Sequence, residues 1–324
     1  MITLESSLLN DYQREFPLCP RPFLTIAREL GTREEHVASI LATLRARSVV
    51  SRIGATIVPG RLGAATLAAL SVPRERIEQV ARIVSDYPEV NHNYEREHSY
   101  NLWFVVAAPA RSQVVRGLRE IERRAECGNA LDLPMVAAFH VDLGFDLASG
   151  GAARTRTVMN GHNAPYVCSA FEARVLAALQ DGLEITPRPY AALAIRAGAT
   201  EKAVRDTIRD LIDRRVIARL GVIVSHHALG FRANAMAVWD LPDDLVVAAG
   251  ERLARDSGVS LCYRRERARP AWPYNLYCML HGKSRDAVAA RAADLTLSAG
   301  LARHPRALLF STRRFKQCAA RYVA

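Results

Sequence analysis

Tyr94-Glu95-Arg96-Glu97-His98-Ser99-Tyr100-Asn101-Leu102-Trp103-Phe104 is echoed later in the chain. The echo is Cys262-Tyr263-Arg264-Arg265-Glu266-Arg267, followed by Trp272-Pro273-Tyr274-Asn275-Leu276-Tyr277-Cys278-Met279. In each copy a tyrosine precedes charged residues, and Tyr-Asn-Leu then opens an apolar run. The charged residues suit a hairpin tip and the apolar run a buried strand. An arginine-rich, histidine-bearing tip beside a core strand is suited to holding an anion and moving a proton.

Upstream of each hairpin the same scaffold recurs. In the first copy an amphipathic helix is expected near Leu4 to Glu15, then a break at Pro17, Pro20 and Pro22. Phe23 to Leu30 reads as a second helix ending at Gly31, a helix stop signal. Thr32 is expected to cap a third helix, with Glu35 completing a capping box, and Val37, Ile40, Leu41 and Leu44 recur at helical spacing. Val49 to Val58 reads as a strand. The second copy places helices at Phe171 to Gln180, Tyr190 to Ala197 and from Thr200, and a strand at Val216 to Val224. Arg52 matches Arg219, Gly54 matches Gly221, and Leu62-Gly63 matches Leu229-Gly230, all at one offset. Three helices and a strand make a winged helix-turn-helix, here duplicated.

Each winged module leads into a β-α-β-β-α-β pattern, the ferredoxin-like order. The first copy runs through strand Thr66 to Val72, helix Arg74 to Ser85, strands Val90 to Arg96 and Tyr100 to Ala107, helix Arg111 to Ala125 and strand Met135 to Gly144. The second runs through strand Ala233 to Leu241, helix Asp244 to Arg255, strands Ser260 to Arg264 and Tyr274 to Leu280, helix Ser284 to Ser298 and strand Arg306 to Ser311. The expected fold is therefore α+β with two tandem repeats. Residues 1–60 and 167–227 form winged modules, 61–147 and 228–324 ferredoxin-like domains, and 148–166 a linker.

The 324-residue chain has a formal charge of +11, which points to an acidic partner, a nucleic acid or a small polycarboxylate. Lysine is confined to Lys202, Lys283 and Lys316, so arginine carries nearly all the positive charge. No run of about 18 apolar residues is present, so no membrane span is expected. The N-terminus has no basic segment followed by an apolar one, and a cytoplasmic location is expected. Cys19, Cys127, Cys168, Cys262, Cys278 and Cys318 form no C-x-x-C pair, so buried free thiols are expected.

A winged helix followed by a ferredoxin-like domain resembles the Lrp/AsnC transcription-regulator architecture. The hairpins narrow this. Glu95 to Phe104 resembles the signature of one sirohaem decarboxylase subunit type. Cys262 to Arg265, with Trp272 to Gly282 and Ser311-Thr312-Arg313-Arg314-Phe315-Lys316, resembles that of its partner type. The resemblance implies a fused two-half enzyme of the Nir D–L kind in d1-type haem synthesis. Such a carboxy-lyase converts sirohaem to 12,18-didecarboxysirohaem by releasing two acetate carboxyls as CO2. It implies no separate organic cofactor, because sirohaem is the substrate and carries its own iron. The first half departs from the pattern twice. Ile57-Val58-Pro59-Gly60-Arg61 stands where the second half has Val224-Ser225-His226-His227, and Ala137-Ala138-Phe139-His140 stands where it has Arg313-Arg314-Phe315-Lys316. The halves are therefore not expected to be equivalent.

A sirohaem pocket needs cations at its rim and flat aromatic walls. Arg264, Arg265 and Arg267 are candidate carboxylate ligands, and Tyr94, Tyr100, Trp103, Trp272 and Tyr274 candidate walls. His98 is the first candidate proton donor, since histidine titrates near neutrality; Arg96 would hold the departing carboxylate. His227 is a second candidate acid, His226 and His281 candidate substrate contacts, and His98 or His227 a candidate iron ligand. No helix pairs His or Glu at metal spacing, so no protein-held metal is expected. The competing readings are a DNA-binding Lrp/AsnC-type regulator and a haem-binding sensor. Mixed charge on the third helices, with Arg33, Arg45 and Arg47 against Glu34 and Glu35, weighs against DNA. The ferredoxin-like domains are expected to pair as an internal pseudo-dimer; a further homodimer, or association with related decarboxylase subunits, is left open.

Overall fold

The computed structural model describes residues 3–141, 145–146, 151–152, 164–225 and 230–323. The first winged module comprises α1 (Leu4–Asp11), α2 (Pro22–Glu29), α3 (Glu34–Ala46) and β1 (Val50–Ile57). It leads into β2 (Ala64–Leu70), α4 (Ile77–Asp86), β3 (Val90–Arg96), β4 (Leu102–Ala108), α5 (Arg111–Ala125) and β5 (Leu131–Val141). A small hairpin, β6 (Phe145–Asp146) and β7 (Gly151–Ala152), lies between the halves. The second module comprises α6 (Ala170–Gln180), α7 (Pro189–Ala197), α8 (Glu201–Asp213) and β8 (Ile217–Val224). It leads into β9 (Ala233–Trp239), α9 (Val246–Ala254), β10 (Val259–Arg265), β11 (Leu276–Gly282), α10 (Arg285–Ser298) and β12 (Arg306–Gln317). None of the described helices is long and apolar enough to cross a membrane.

The expected element order holds in both halves, with local corrections. The first helix ends at Asp11, short of Glu15. Thr32 does not cap α3: Arg33 occupies the cap position without a side-chain bond, and the Thr32 hydroxyl lies 3.0 Å from His36 Nδ1 instead. Thr200 does cap α8, accepting from the Ala203 amide at 3.2 Å. The end of the expected strand Met135 to Gly144 lies outside the described residues. Of the cysteines, Cys262 and Cys278 are buried and Cys318 is exposed, so the expectation of buried thiols holds only in part.

What the local pattern could not convey is how the halves join. β5 pairs with its own β2 and with β10, while β12 pairs with its own β9 and with β3. Two four-stranded sheets thereby close into one barrel in the order β10-β11-β9-β12-β3-β4-β2-β5. The helices cover its outside, in one apolar cluster around α4 and α5 and another around α9 and α10. The inward positions form a separate core containing Trp103, Trp272 and Tyr277. The two wing strands β1 and β8 also pair, antiparallel, with Gly54 opposite Gly221, so that the helical modules share a single core. Equivalent residues meet at this pair, which sets a pseudo-twofold axis through it.

Candidate functional site

Both hairpins are clasped in the same way. Asn101 brackets Val72, accepting from its amide at 2.9 Å and donating to its carbonyl at 2.8 Å; Asn275 brackets Leu241 with bonds of 3.0 Å each way. This explains the asparagine in each Tyr-Asn-Leu. The clasp fixes the strand that follows, and alternation then decides which residues face into the barrel.

The clasped tips meet on the pseudo-axis. The His98 ring stands edge-on to Trp272, centroids 5.2 Å apart, and Trp272 contacts Trp103 and Tyr274 at 4.9 Å each. Tyr100 joins the group at 6.2 Å from Trp272. Trp103 and Trp272 are fully buried, and the Trp272 Nε1 donates to the Tyr277 hydroxyl at 2.7 Å. These indoles belong to the barrel's inner core rather than forming exposed walls. His98 Nδ1 accepts from the Tyr100 amide at 3.1 Å, the bond of a residue capping its own hairpin. Partial burial holds its pKa below the ordinary histidine value.

The arginines are likewise committed. Arg96 donates to the Leu309 carbonyl at 3.1 Å, and its counterpart Arg265 to the Leu133 carbonyl at 2.9 Å. Both are buried, and burial draws the Arg96 pKa down to about 10. Each ties one half's hairpin to the other half's last strand, a buried structural tie rather than a cation at an open rim. Arg267 is held by Asp240 at 3.3 Å and Asp243 at 2.7 Å, and Arg264 by Asp243 at 3.1 Å. Asp240 and Asp243 are thus shared among Arg264, Arg267 and Arg269. His226 and His227 lie outside the described residues.

Towards the wing pair the barrel opens on a cavity of about 310 Å³. Of the expected site residues it is lined by Tyr94 and His281. Its remaining lining includes Arg232, Asn234 and Gln317, from positions in no motif, and Ser311 and Arg314, from the Ser311 to Lys316 stretch that carried the resemblance but offered no site candidate. Arg314 donates to Gln317 Oε1 at 3.0 Å, and the Tyr94 hydroxyl donates to the same oxygen at 3.2 Å. Arg232 and Arg314 are exposed and carry no ion pair among the described residues, unlike Arg313, which is held by Glu95 at 2.6 Å and by Glu78. The Ser260 hydroxyl donates to the Met279 carbonyl at 3.1 Å and lies 3.1 Å from His281 Nδ1. His92, also missed, faces inward beside Tyr94 and lines an adjoining cavity of about 190 Å³ with Arg52 and Gln317. Burial, reinforced by the Arg52 charge, pushes its pKa down to about 4, so it is neutral near pH 7.

The pseudo-symmetric mouth has the opposite chemistry. Asn234 faces His281 across β9 and β11, and the equivalent facing pair is Ala65 and Ala107. Opposite Arg96, Tyr94 and His92 stand Ser311, Arg314 and Gln317. Opposite Arg265, Tyr263 and Leu261 stand Met135, Ala138 and Val141. The second mouth is thus polar and cationic, and the first apolar. Exposed arginines that can pair with a large polycarboxylate are gathered in only one of them, since Arg265 beside the first is buried. Among the described residues no group of three or more ligating side chains is placed to hold a metal ion.

Comparison with known proteins gives this geometry a context. The model of the AsnC-like ligand binding domain matches residues 61–140 and 228–316, and that of the siroheme decarboxylase NirDL-like HTH domain matches residues 5–50 and 172–217. The siroheme decarboxylase NirDL subunit of Paracoccus denitrificans is 42% identical over 321 residues, covering 98% of this chain and 96% of that one. A half-length relative, the siroheme decarboxylase NirD subunit of Stutzerimonas stutzeri, is 48% identical over 145 residues, 44% of this chain and 94% of its own. The crystal structure of the siroheme decarboxylase NirDL in co-complex with an iron-uroporphyrin III analogue superposes with a TM-score of 0.68 at 28% identity, covering 99% of this chain and 94% of that one.

Proposed function

The chain belongs to the sirohaem decarboxylases of the fused NirDL type, and from that premise we propose that it converts sirohaem to 12,18-didecarboxysirohaem in d1-type haem synthesis. The observation that carries the site assignment is the contrast between the mouths, with unpaired Arg232 and Arg314, Tyr94 and His281 gathered in one only. Sirohaem presents eight carboxylates around a flat iron-bearing ring. Arg232 and Arg314 receive carboxylates at the rim, where arginine's planar fork matches them. The cavity suits one edge of the macrocycle, with the remainder at the barrel opening.

The reaction is non-oxidative. Each step breaks the bond between an acetate CH2 and its carboxylate, releases CO2, and leaves an electron pair that the macrocycle accepts. One proton then converts the nascent CH2 to methyl. The substrate is its own electron sink, so no separate organic cofactor is required. His281 is the proposed proton donor in place of His98, because its ring lines the cavity while that of His98 caps a hairpin. His226 and His227 are retained as substrate contact and second acid on sequence grounds. Association with related half-length decarboxylase subunits also belongs to this reading. A DNA-binding role is not favoured: on α8, Asp206 engages both Lys202 and Arg209.

The test is anaerobic incubation of the purified chain with sirohaem and mass spectrometry of the tetrapyrrole. The expected product has lost two carboxyls as CO2. His281→Gln is expected to slow turnover by about 10²–10⁴-fold, the usual worth of a general acid. Wild-type turnover in that variant would remove His281 from the mechanism, and an unchanged tetrapyrrole with the wild type would refute the enzyme.

A further inference from the structure

The two mouths also differ in what covers them. After Gln317 the chain makes one more bond along β3, from the Cys318 amide to the Asn91 carbonyl at 2.8 Å, and then leaves the sheet. By Tyr322 it has crossed to the first half. A Cβ on Gly63 would stand 3.0 Å from the Tyr322 ring and 3.2 Å from its carbonyl oxygen, so the tail is laid directly on that glycine. Gly63 immediately precedes Ala64, which faces Ala108 at the rim of the apolar first mouth. Tyr322 and Val323 pack there against the shared helical core. Burial raises the phenol's pKa, while the charge of Arg265, the arginine of the first mouth, opposes it.

The other end of this strap is Gln317. Its Oε1 accepts from both Arg314 and Tyr94, the cation and the phenol of the second mouth. An extended residue advances only about 3.3–3.6 Å, so the four steps from Cys318 to Tyr322 reach at most about 14 Å. Where Tyr322 sits therefore bears on where Gln317 sits. Arg314 is exposed, and a long exposed side chain samples many rotamers unless something holds it.

We propose that Tyr322 is a positioning residue for decarboxylation: laid on Gly63 and lining the smaller cavity with His92 and Gln317, it anchors the C-terminal strap so that Gln317 holds Arg314 and Tyr94 ready for a substrate carboxylate in the second mouth. This rests on reading the second mouth as the substrate site.

The experiment compares wild type, Tyr322→Phe, Tyr322→Ala and a chain ending at Cys318. Sirohaem turnover is measured anaerobically, and binding of iron-uroporphyrin III separately by absorbance titration. Tyr322→Ala and the truncation are expected to raise KM and the analogue's Kd about tenfold with kcat within about twofold, because preorganisation of a binding side chain is what is lost. Tyr322→Phe, which keeps the ring in its socket, is expected to restore wild-type values. Unchanged KM and Kd in Tyr322→Ala would overturn the proposal. So would losses of kcat and KM that track a fall in melting temperature, the mark of a merely structural role. If wild type binds the analogue but does not decarboxylate sirohaem, the functional reading fails while the titration still decides the role of Tyr322.

Discussion

At the scale of single residues, hydrogen-bonding partners separate groups that look alike in sequence. His98 sits in the most conspicuous motif of the chain, yet its Nδ1 is spent on the Tyr100 amide. His98→Ala is therefore expected to cost about 0.5–1.5 kcal/mol of stability, the worth of one hydrogen bond, and to leave turnover near wild type. Denaturant unfolding alongside the sirohaem assay checks both halves of that statement. His92, in no motif at all, has the sharper pH signature. Its folded pKa of about 4 lies below the ordinary 6.5, so on acidification the unfolded chain takes up the proton first. The stability contributed by the neutral ring is full above about pH 6.5 and is lost as the pH falls towards 4. His92→Gln should flatten the pH dependence of the unfolding free energy across that window. A profile as steep as wild type would mean that His92 is not the group being protonated.

At the scale of elements, the duplication gives pairs of equivalent positions that can be compared directly. Gly54 and Gly221 face each other across the wing pair, and the sequence match alone suggests equal roles. The structure makes them unequal. A Cβ on Gly221 would come 2.0 Å from the Gln13 carbonyl oxygen, main chain that cannot yield without moving the segment after α1. On Gly54 it would meet the Arg52 side chain at 3.2 Å and the Gly182 Cα at 3.4 Å. Gly221→Ala is expected to cost about 1–3 kcal/mol, as overpacking does, and Gly54→Ala distinctly less; thermal melts of the two variants give the ordering. The same comparison shows what was legible in the sequence. Helices and strands were, because periodicity and turn signals are local and each was stated twice. The hairpins were, because Tyr-Asn-Leu recurs, but the clasp made by its asparagine was not. The cavity was not, because Asn234, His281, Arg314 and Gln317 come together only when β12 leaves its own sheet to pair with β3, and no local pattern encodes that pairing. The usable signal was the departure at Ala137-Ala138 from Arg313-Arg314, which marked the halves as unequal. Only the barrel register assigns Ala138 and Arg314 to opposite mouths.

At the scale of the whole molecule, the barrel makes the polar mouth the joint property of both halves. Tyr94 and His92 come from the first, on β3; Asn234, His281, Arg314 and Gln317 come from the second, on β9, β11 and β12. Neither half can close the barrel alone, since β3 would lose β12 and β10 would lose β5, leaving bare strand edges that invite wrong pairing. A first half paired with itself would set Tyr94 and His92 against Ala138 and Val141, keeping a phenol and an imidazole but losing the cation. A second half paired with itself would set Arg314 and Gln317 against Tyr263 and Leu261 in place of Tyr94 and His92. It would keep the cation and His281 and lose the phenol of Tyr94 and the imidazole of His92. Opening the chain between residues 148 and 164 and co-expressing the pieces is thus expected to give a one-to-one complex that binds one iron-uroporphyrin III and turns over sirohaem. Each piece expressed alone is expected to aggregate or self-pair and to be inactive, with activity returning on co-refolding. The half-length NirD subunit relative shows that a single repeat exists as a separate chain in this family. Full activity from either piece alone would contradict the shared mouth. Two bound analogues per reconstituted complex would contradict the inequality of the two mouths, leaving the barrel itself untouched.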